Sequence, residues 1–126
     1  MTVSALPRPV ELSTQPGRAR HQLAGLLDDL DWEGDVDGAV LAVHEAMVNA
    51  HDHGGGVVGA TASLKGPALV VQVTDRGHGF DLPESPTLAD LAAERGRGLF
   101  LIRHLASDAR VVRDGDDVQL ILTFDR

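Results

Sequence analysis

Residues 36–56 read VDGAVLAVHEAMVNAHDHGGG, a run whose apolar positions recur at helical spacing until three glycines close it. Val40, Val43 and Met47 form one apolar stripe with Leu41 and Val48 beside it, which predicts a helix from about Asp35 to about His53. Off that stripe, Glu45, Asn49 and His53 follow one another at intervals of four. At roughly 100° per residue each step drifts only ~40°, so a carboxylate, an amide and an imidazole share one line along the helix. A carboxylate can orient or deprotonate a nucleophile, and an amide oxygen is a hard ligand suited to Mg²⁺. The same line is also what a solvated polar face looks like.

Upstream, residues 1–13 carry Pro7 and Pro9 in a loose alternation that suits an extended lead-in or an edge strand. From Thr14, with Pro16 near the first turn, Ala19, Leu23, Leu26, Leu27 and Leu30 predict an amphipathic helix that Gly34 stops. Downstream, 57–64 and 68–74 are strand-like and joined by Lys65-Gly66-Pro67, a hairpin whose second strand is apolar enough to be buried on both faces. Ser85-Pro86 opens a short helix with Leu88 and Leu91. Glycines at 96 and 98 introduce a third main helix over 99–106, and 109–113 and 118–124 form a last hairpin around Asp114-Gly115-Asp116-Asp117. Helix, helix, hairpin, helix, hairpin groups the strands in antiparallel pairs. That order predicts a single domain over residues 1–126 of the α+β class, with helices on one face of a mostly antiparallel sheet.

Composition removes whole classes of function. There is no cysteine, so disulfides, thiolate zinc sites and cysteine nucleophiles are out. A formal charge of −8 repels polyanions and argues against direct nucleic-acid binding. No apolar run approaches the ~20 residues of a membrane span, and the start lacks a signal-peptide pattern, so a cytoplasmic protein is expected. No GxxxxGK[ST] occurs, which excludes a P-loop.

Two more segments carry chemistry. Asp75-Arg76-Gly77-His78-Gly79-Phe80 follows the most apolar strand, and glycines two apart let a flat or charged ligand come close. An acceptor-only carboxylate there can take a hydrogen bond from an exocyclic amine such as that of adenine. An ordinary strand-ending turn uses the same residues. Arg95-Gly96-Arg97-Gly98-Leu99-Phe100-Leu101-Ile102 places glycines ahead of an apolar helix, where free N–H groups and the helix dipole attract an anion and the two arginines add charge. A helix preceded by a flexible loop reads equally well. A dinucleotide fingerprint is excluded, because Leu101 stands where its third glycine belongs.

Taken together and in order, Glu-Ala-x-x-Asn-Ala-x-x-His-Gly (45–54), Asp-x-Gly-x-Gly-Phe (75–80) and Arg-Gly-Arg-Gly-Leu-Phe-Leu-Ile (95–102) resemble the three nucleotide-binding boxes of the Bergerat-fold (GHKL) ATPases, and among these the anti-sigma-factor serine kinases. The resemblance implies a histidine-kinase-like ATPase domain: a two-layer sandwich with a mostly antiparallel mixed sheet and three main helices on one face. It implies an ATP site formed by Asn49, His53, Asp75, Gly77, Gly79, Phe80, Arg95, Gly96, Arg97, Gly98, Leu99 and Phe100. In it Asn49 ligates Mg²⁺, Asp75 recognises adenine and Glu45 is the catalytic residue that orients or deprotonates a serine hydroxyl. The implied partners are a STAS-domain anti-anti-sigma protein, which is phosphorylated, and a sigma factor held by a kinase homodimer.

Two features depart from that pattern. Relatives usually place a threonine before the last strand, whose hydroxyl supports adenine binding, and here that stretch is Asp114-Gly115-Asp116-Asp117-Val118. His51 is the other, since His44, His51 and His53 suggest a metal site whose spacing is not that of HExxH. The alternative function is therefore a non-catalytic anti-sigma or protein-binding module with weak or no nucleotide binding. A detached catalytic domain acting on histidine is a third reading, disfavoured by the short stretch between Asp81 and Glu94.

Overall fold

A computed structural model of the protein describes residues 8–77, 82–96 and 98–126. In chain order the elements are β1 (Val10–Leu12), α1 (Pro16–Asp29), α2 (Val36–Asp52), β2 (Val57–Lys65), β3 (Ala68–Asp75), α3 (Leu88–Arg95), α4 (Gly98–Leu105), β4 (Asp108–Asp114) and β5 (Asp117–Phe124). The strands form one sheet in the order β1-β2-β3-β5-β4. Every pairing is antiparallel. The expected α+β sandwich is present, and the sheet is more uniform than the mixed one anticipated.

Strand alternation decides which face the helices cover. Leu69, Val71, Val73 and Asp75 of β3 and Val118, Leu120, Leu122 and Phe124 of β5 point one way and are buried. They share one core with Leu23 and Leu27 of α1, Val43 and Met47 of α2, Leu91 of α3, and Leu99 and Ile102 of α4. Val70, Gln72 and Thr74 face the other side and are only half-buried, so β3 is covered on one face and not on both. Val70, Gln72, Thr61, Ser63, Ile121 and Thr123 line a shallow outer groove of about 300 Å³. The expectation failed because apolar content was read as burial, whereas two of the four outward residues, Gln72 and Thr74, are polar.

The helix ends follow local chemistry. Pro16 sits in the first turn of α1, where its missing N–H costs nothing. The helix stops at Asp31, in the left-handed region at φ 50°, with Asp31 N–H donating to Asp28 O (3.0 Å) and Trp32 N–H to Leu27 O (3.1 Å). That pattern is a Schellman cap, three residues before the predicted stop at Gly34. Gly34 has a different duty: a Cβ there would strike the Trp32 indole. Trp32 Nε1 donates to Pro67 O (2.8 Å) and fastens the α1–α2 connection to the β2–β3 turn. Asp35 caps α2 by accepting from Gly38 N (3.0 Å), and Thr87 and Asp90 form a capping box on α3. Leu41, expected beside the buried stripe, is exposed, one turn before Glu45 on the same side of the helix; the stripe is flanked instead by small Ala39, Ala42, Ala46 and Ala50 on its other side.

Candidate functional site

The three chemistry-bearing segments converge at the C-terminal half of α2. The helix ends at Asp52, and Ala50 O accepts from Gly54 N (3.1 Å) and Gly56 N (3.2 Å), while Arg76 N donates to Gly56 O (3.3 Å). This clip brings the end of α2 against the end of β3. Gly56 takes φ 95°, a conformation open to glycine. Glu45 is half-buried and Asn49 is 8% exposed, one turn further along. His53 is the C-cap residue: its backbone N–H still donates to Asn49 O (2.8 Å), and the residue is exposed.

Asp75, the last residue of β3, is 3% exposed and holds the polar centre of the site. Arg95, the last residue of α3, is 4% exposed and donates Nη1 to Asp75 Oδ2 (2.6 Å) and Nη2 to Asp75 Oδ1 (2.9 Å). Gly77 N also donates to Oδ1 (2.7 Å). A two-pronged guanidinium–carboxylate bond is among the strongest polar contacts, and it answers the charge problem that burial creates for both groups. Gly54 makes room for it: a Cβ there would stand 2.8 Å from Ala50 O, 2.9 Å from Asp75 Oδ1 and 3.0 Å from Arg95 Nη2. Gly77 lies against the β4–β5 turn so closely that a Cβ would collide with Asp116 O. The backbone of the turn that lacks the expected threonine thus abuts the carboxylate segment.

The third segment meets the first. Gly98 opens α4, and a Cβ on it would stand 2.6 Å from Asn49 Nδ2 and 3.4 Å from Asn49 Oδ1. Asn49, Asp75, Gly77, Arg95 and Gly98 are therefore brought together through these contacts, with Gly96 at φ 86° between the last two. Phe100 is not part of that group: two residues past Gly98 is about 200° round a helix. It is 58% exposed and lines a groove with Leu88, Ala92, Ala93 and Leu99. Leu99 itself is buried in the core. Gly79, Phe80 and Arg97 lie outside the described residues.

The model of the histidine kinase-like ATPase domain matches residues 11–124. A curated relative, the serine-protein kinase RsbW of Halalkalibacterium halodurans, is 30% identical over 122 residues, covering 86% of this chain and 75% of the relative. A solved structure, that of the RsbU and RsbW domains of Rv1364c from Mycobacterium tuberculosis, superposes with a TM-score of 0.66 at 22% identity. It covers 94% of this chain, which spans only 32% of that one, and it speaks for the fold alone. The chain belongs to the histidine kinase-like ATPase family, among the anti-sigma-factor serine kinases.

For a member of this ATPase family the donor set around Asn49 suits Mg²⁺ held jointly with phosphate. Asn49 would supply one hard oxygen, and among the described residues no group of three or more His, Asp or Glu side chains could hold a metal alone. Mg²⁺ typically keeps several waters and takes its remaining ligands from a nucleotide, so one side chain is enough. A histidine metal site receives no support: His51 Nε2 instead lies 3.1 Å from Thr14 O, at the start of α1.

Sequence reasoning treated Arg95 as a free phosphate-attracting charge and missed its pairing with Asp75, twenty positions away. It also missed Arg113, which donates to Leu82 O and Gly115 O and ties the chain ahead of α3 to the β4–β5 turn. Neither contact has a spacing signature, since both depend on how separate elements dock.

Proposed function

We propose that this ATPase-family domain is a cytoplasmic anti-sigma factor and ATP-dependent serine-protein kinase that phosphorylates a STAS-type anti-anti-sigma protein and, as a homodimer, sequesters a sigma factor. The observation that supports it best is the contact of Gly98, at the start of α4, with Asn49, beside the Asp75 carboxylate. One region of the fold then gathers a carboxylate suited to adenine, an amide suited to a metal and a helix N-terminus suited to phosphate. Mg²⁺ bound with the nucleotide would neutralise charge on the β- and γ-phosphate oxygens. Asn49 would hold it, and residues 96–98 with the first N–H groups of α4 would hold the phosphates. Glu45, half-buried one turn before Asn49, accepts the proton of the incoming serine hydroxyl. As the serine oxygen bonds to the γ-phosphorus, the bond to the β–γ bridging oxygen breaks and ADP leaves. Little else is required, because phosphoryl transfer depends chiefly on positioning and charge.

Calorimetric titration of the wild-type chain and Asp75→Asn with Mg²⁺-ATP tests the binding half. Measurable binding by the wild type and a loss of at least ~10-fold in the variant are expected for one charged hydrogen bond lost. No binding by the wild type sinks the kinase reading and leaves a non-catalytic anti-sigma or docking module. Transfer of labelled phosphate to candidate STAS proteins tests the rest: Glu45→Ala should abolish transfer while leaving ATP binding nearly intact. Equal loss of both would mean that Glu45 is structural.

A further inference from the structure

An arginine whose only duty is to attract phosphate gains nothing from burial, yet Arg95 is 4% exposed and spends both terminal amino groups on Asp75. Asp75 accepts from these two groups and from Gly77 N, which fills three of the roughly four lone-pair directions a carboxylate offers. The remaining direction belongs to a side chain only 4% exposed, walled by Gly54 on one side and by Arg95 on the other. An incoming base therefore reaches this carboxylate only after the guanidinium has moved.

We propose that the Asp75–Arg95 pair is a displaceable latch over the carboxylate that recognises adenine, closed in the ligand-free chain and opened by the base. This rests on the nucleotide reading above and adds to it a competitor built into the chain. The guanidinium and the exocyclic amine are both donors, so the base restores one of the two hydrogen bonds it displaces while Gly77 N keeps its own on Oδ1, and Asp75 is not left without a donor.

The backbone around Arg95 suits such a release. The far end of α3 is fixed by the Thr87–Asp90 capping box, whereas Arg95 is the final residue, followed at once by Gly96 at φ 86°, ψ −162°, a conformation essentially restricted to glycine. Gly98, two residues on, touches Asn49. Movement of Arg95 thus passes directly to the segment that abuts Asn49 and opens α4, and recognition of the base at Asp75 rearranges the phosphate end of the same site. The latch lowers the apparent affinity of any adenine compound by the fraction of time it is open.

Adenosine isolates the base from the phosphates and is the probe for the test, with Mg²⁺-ATP as the control. Calorimetry on the full chain would compare wild type, Arg95→Met, Arg95→Lys and the double variant Asp75→Asn/Arg95→Met, each first checked for folding by thermal unfolding. If the latch is open less than about a fifth of the time, removing it tightens adenosine binding roughly fivefold or more. Arg95→Lys, which loses the fork but keeps one donor, falls between. The gain must vanish in the double variant, since it acts through Asp75. Should Arg95→Met fail to fold, Arg95→Lys alone decides, and its affinity for adenosine must exceed that of the wild type. Unchanged or weaker adenosine binding in the folded variants, with Mg²⁺-ATP still bound by the wild type, makes Arg95 a fixed part of the site and overturns the latch alone. Absence of binding of both ligands to every form removes the nucleotide reading and the latch together.

Discussion

Where α1 and α2 cover the sheet, the buried side chains are apolar: Leu23, Leu27, Val43 and Met47 share a core with Leu69, Val71 and Leu122. Where the ends of β3 and α3 and the start of α4 meet α2, the described residues also bury polar groups, Asp75, Arg95 and Asn49, bordered by Gly54, Gly77 and Gly98. The first region needs nothing from outside, since each Leu-sized side chain removed from water is worth about 1.5–3 kcal/mol, and the end of α1 and the start of α2 are capped within the chain. The second is held by one charge pair that joins the ends of separate elements. An apolar core tolerates no exchange of partners, whereas a polar seam can trade one donor for another. Both regions hold the fold, but the ligand response proposed for the seam has no counterpart in the apolar core, and that separation can be tested.

The largest effect should come from splitting the pair. Arg95→Met or Asp75→Asn leaves an uncompensated buried group and is expected to cost about 3–5 kcal/mol in urea unfolding. The double variant should recover most of that loss, because no charge is then stranded; additive losses instead would show that each side chain stabilises the seam through other contacts. In the apolar region Leu23→Ala should cost about 3 kcal/mol through lost transfer energy and an unfilled cavity. Its folded fraction should bind Mg²⁺-ATP with unchanged affinity, and a change of more than ~3-fold would break the separation.

Smaller changes sharpen the border between the two regions. Gly77→Ala brings a methyl group into Asp116 O at φ 75° and should cost about 2 kcal/mol while weakening nucleotide binding, read by unfolding and calorimetry on one sample. Asp35→Ala removes the α2 cap far from the seam and should cost only about 1 kcal/mol, with no change in binding.

Much of this was legible in the chain. The α2 run, both β-hairpins and the order of elements follow from periodicity and turn residues. The three motif segments name the residues that the fold assembles, Asn49, Asp75, Gly77, Arg95 and Gly98 among them. The errors share one cause, which is that a local signal was outvoted by packing. Gly34 looks like a helix stop, but Asp31 makes the turn and Gly34 is small for the sake of the Trp32 ring. His53 keeps the spacing of Glu45 and Asn49 and its N–H donates to Asn49 O (2.8 Å), but as the C-cap residue it is exposed where Asn49 is buried. Leu41 is apolar but faces solvent, because it stands one turn before Glu45 on the polar side of α2, roughly 120–160° round the helix from Met47 and Val43.

The sequence by itself determined the α+β order, the absence of thiol and P-loop chemistry, and which side chains are available to an ATP site, since composition and short-range periodicity depend only on neighbours along the chain. Tertiary structure alone decided that Arg95 faces Asp75, that Gly98 rests on Asn49 and that Gly77 rests on the turn at Asp116. These contacts join residues 20 or more positions apart, and no local pattern encodes them because they arise from how helices and strands dock.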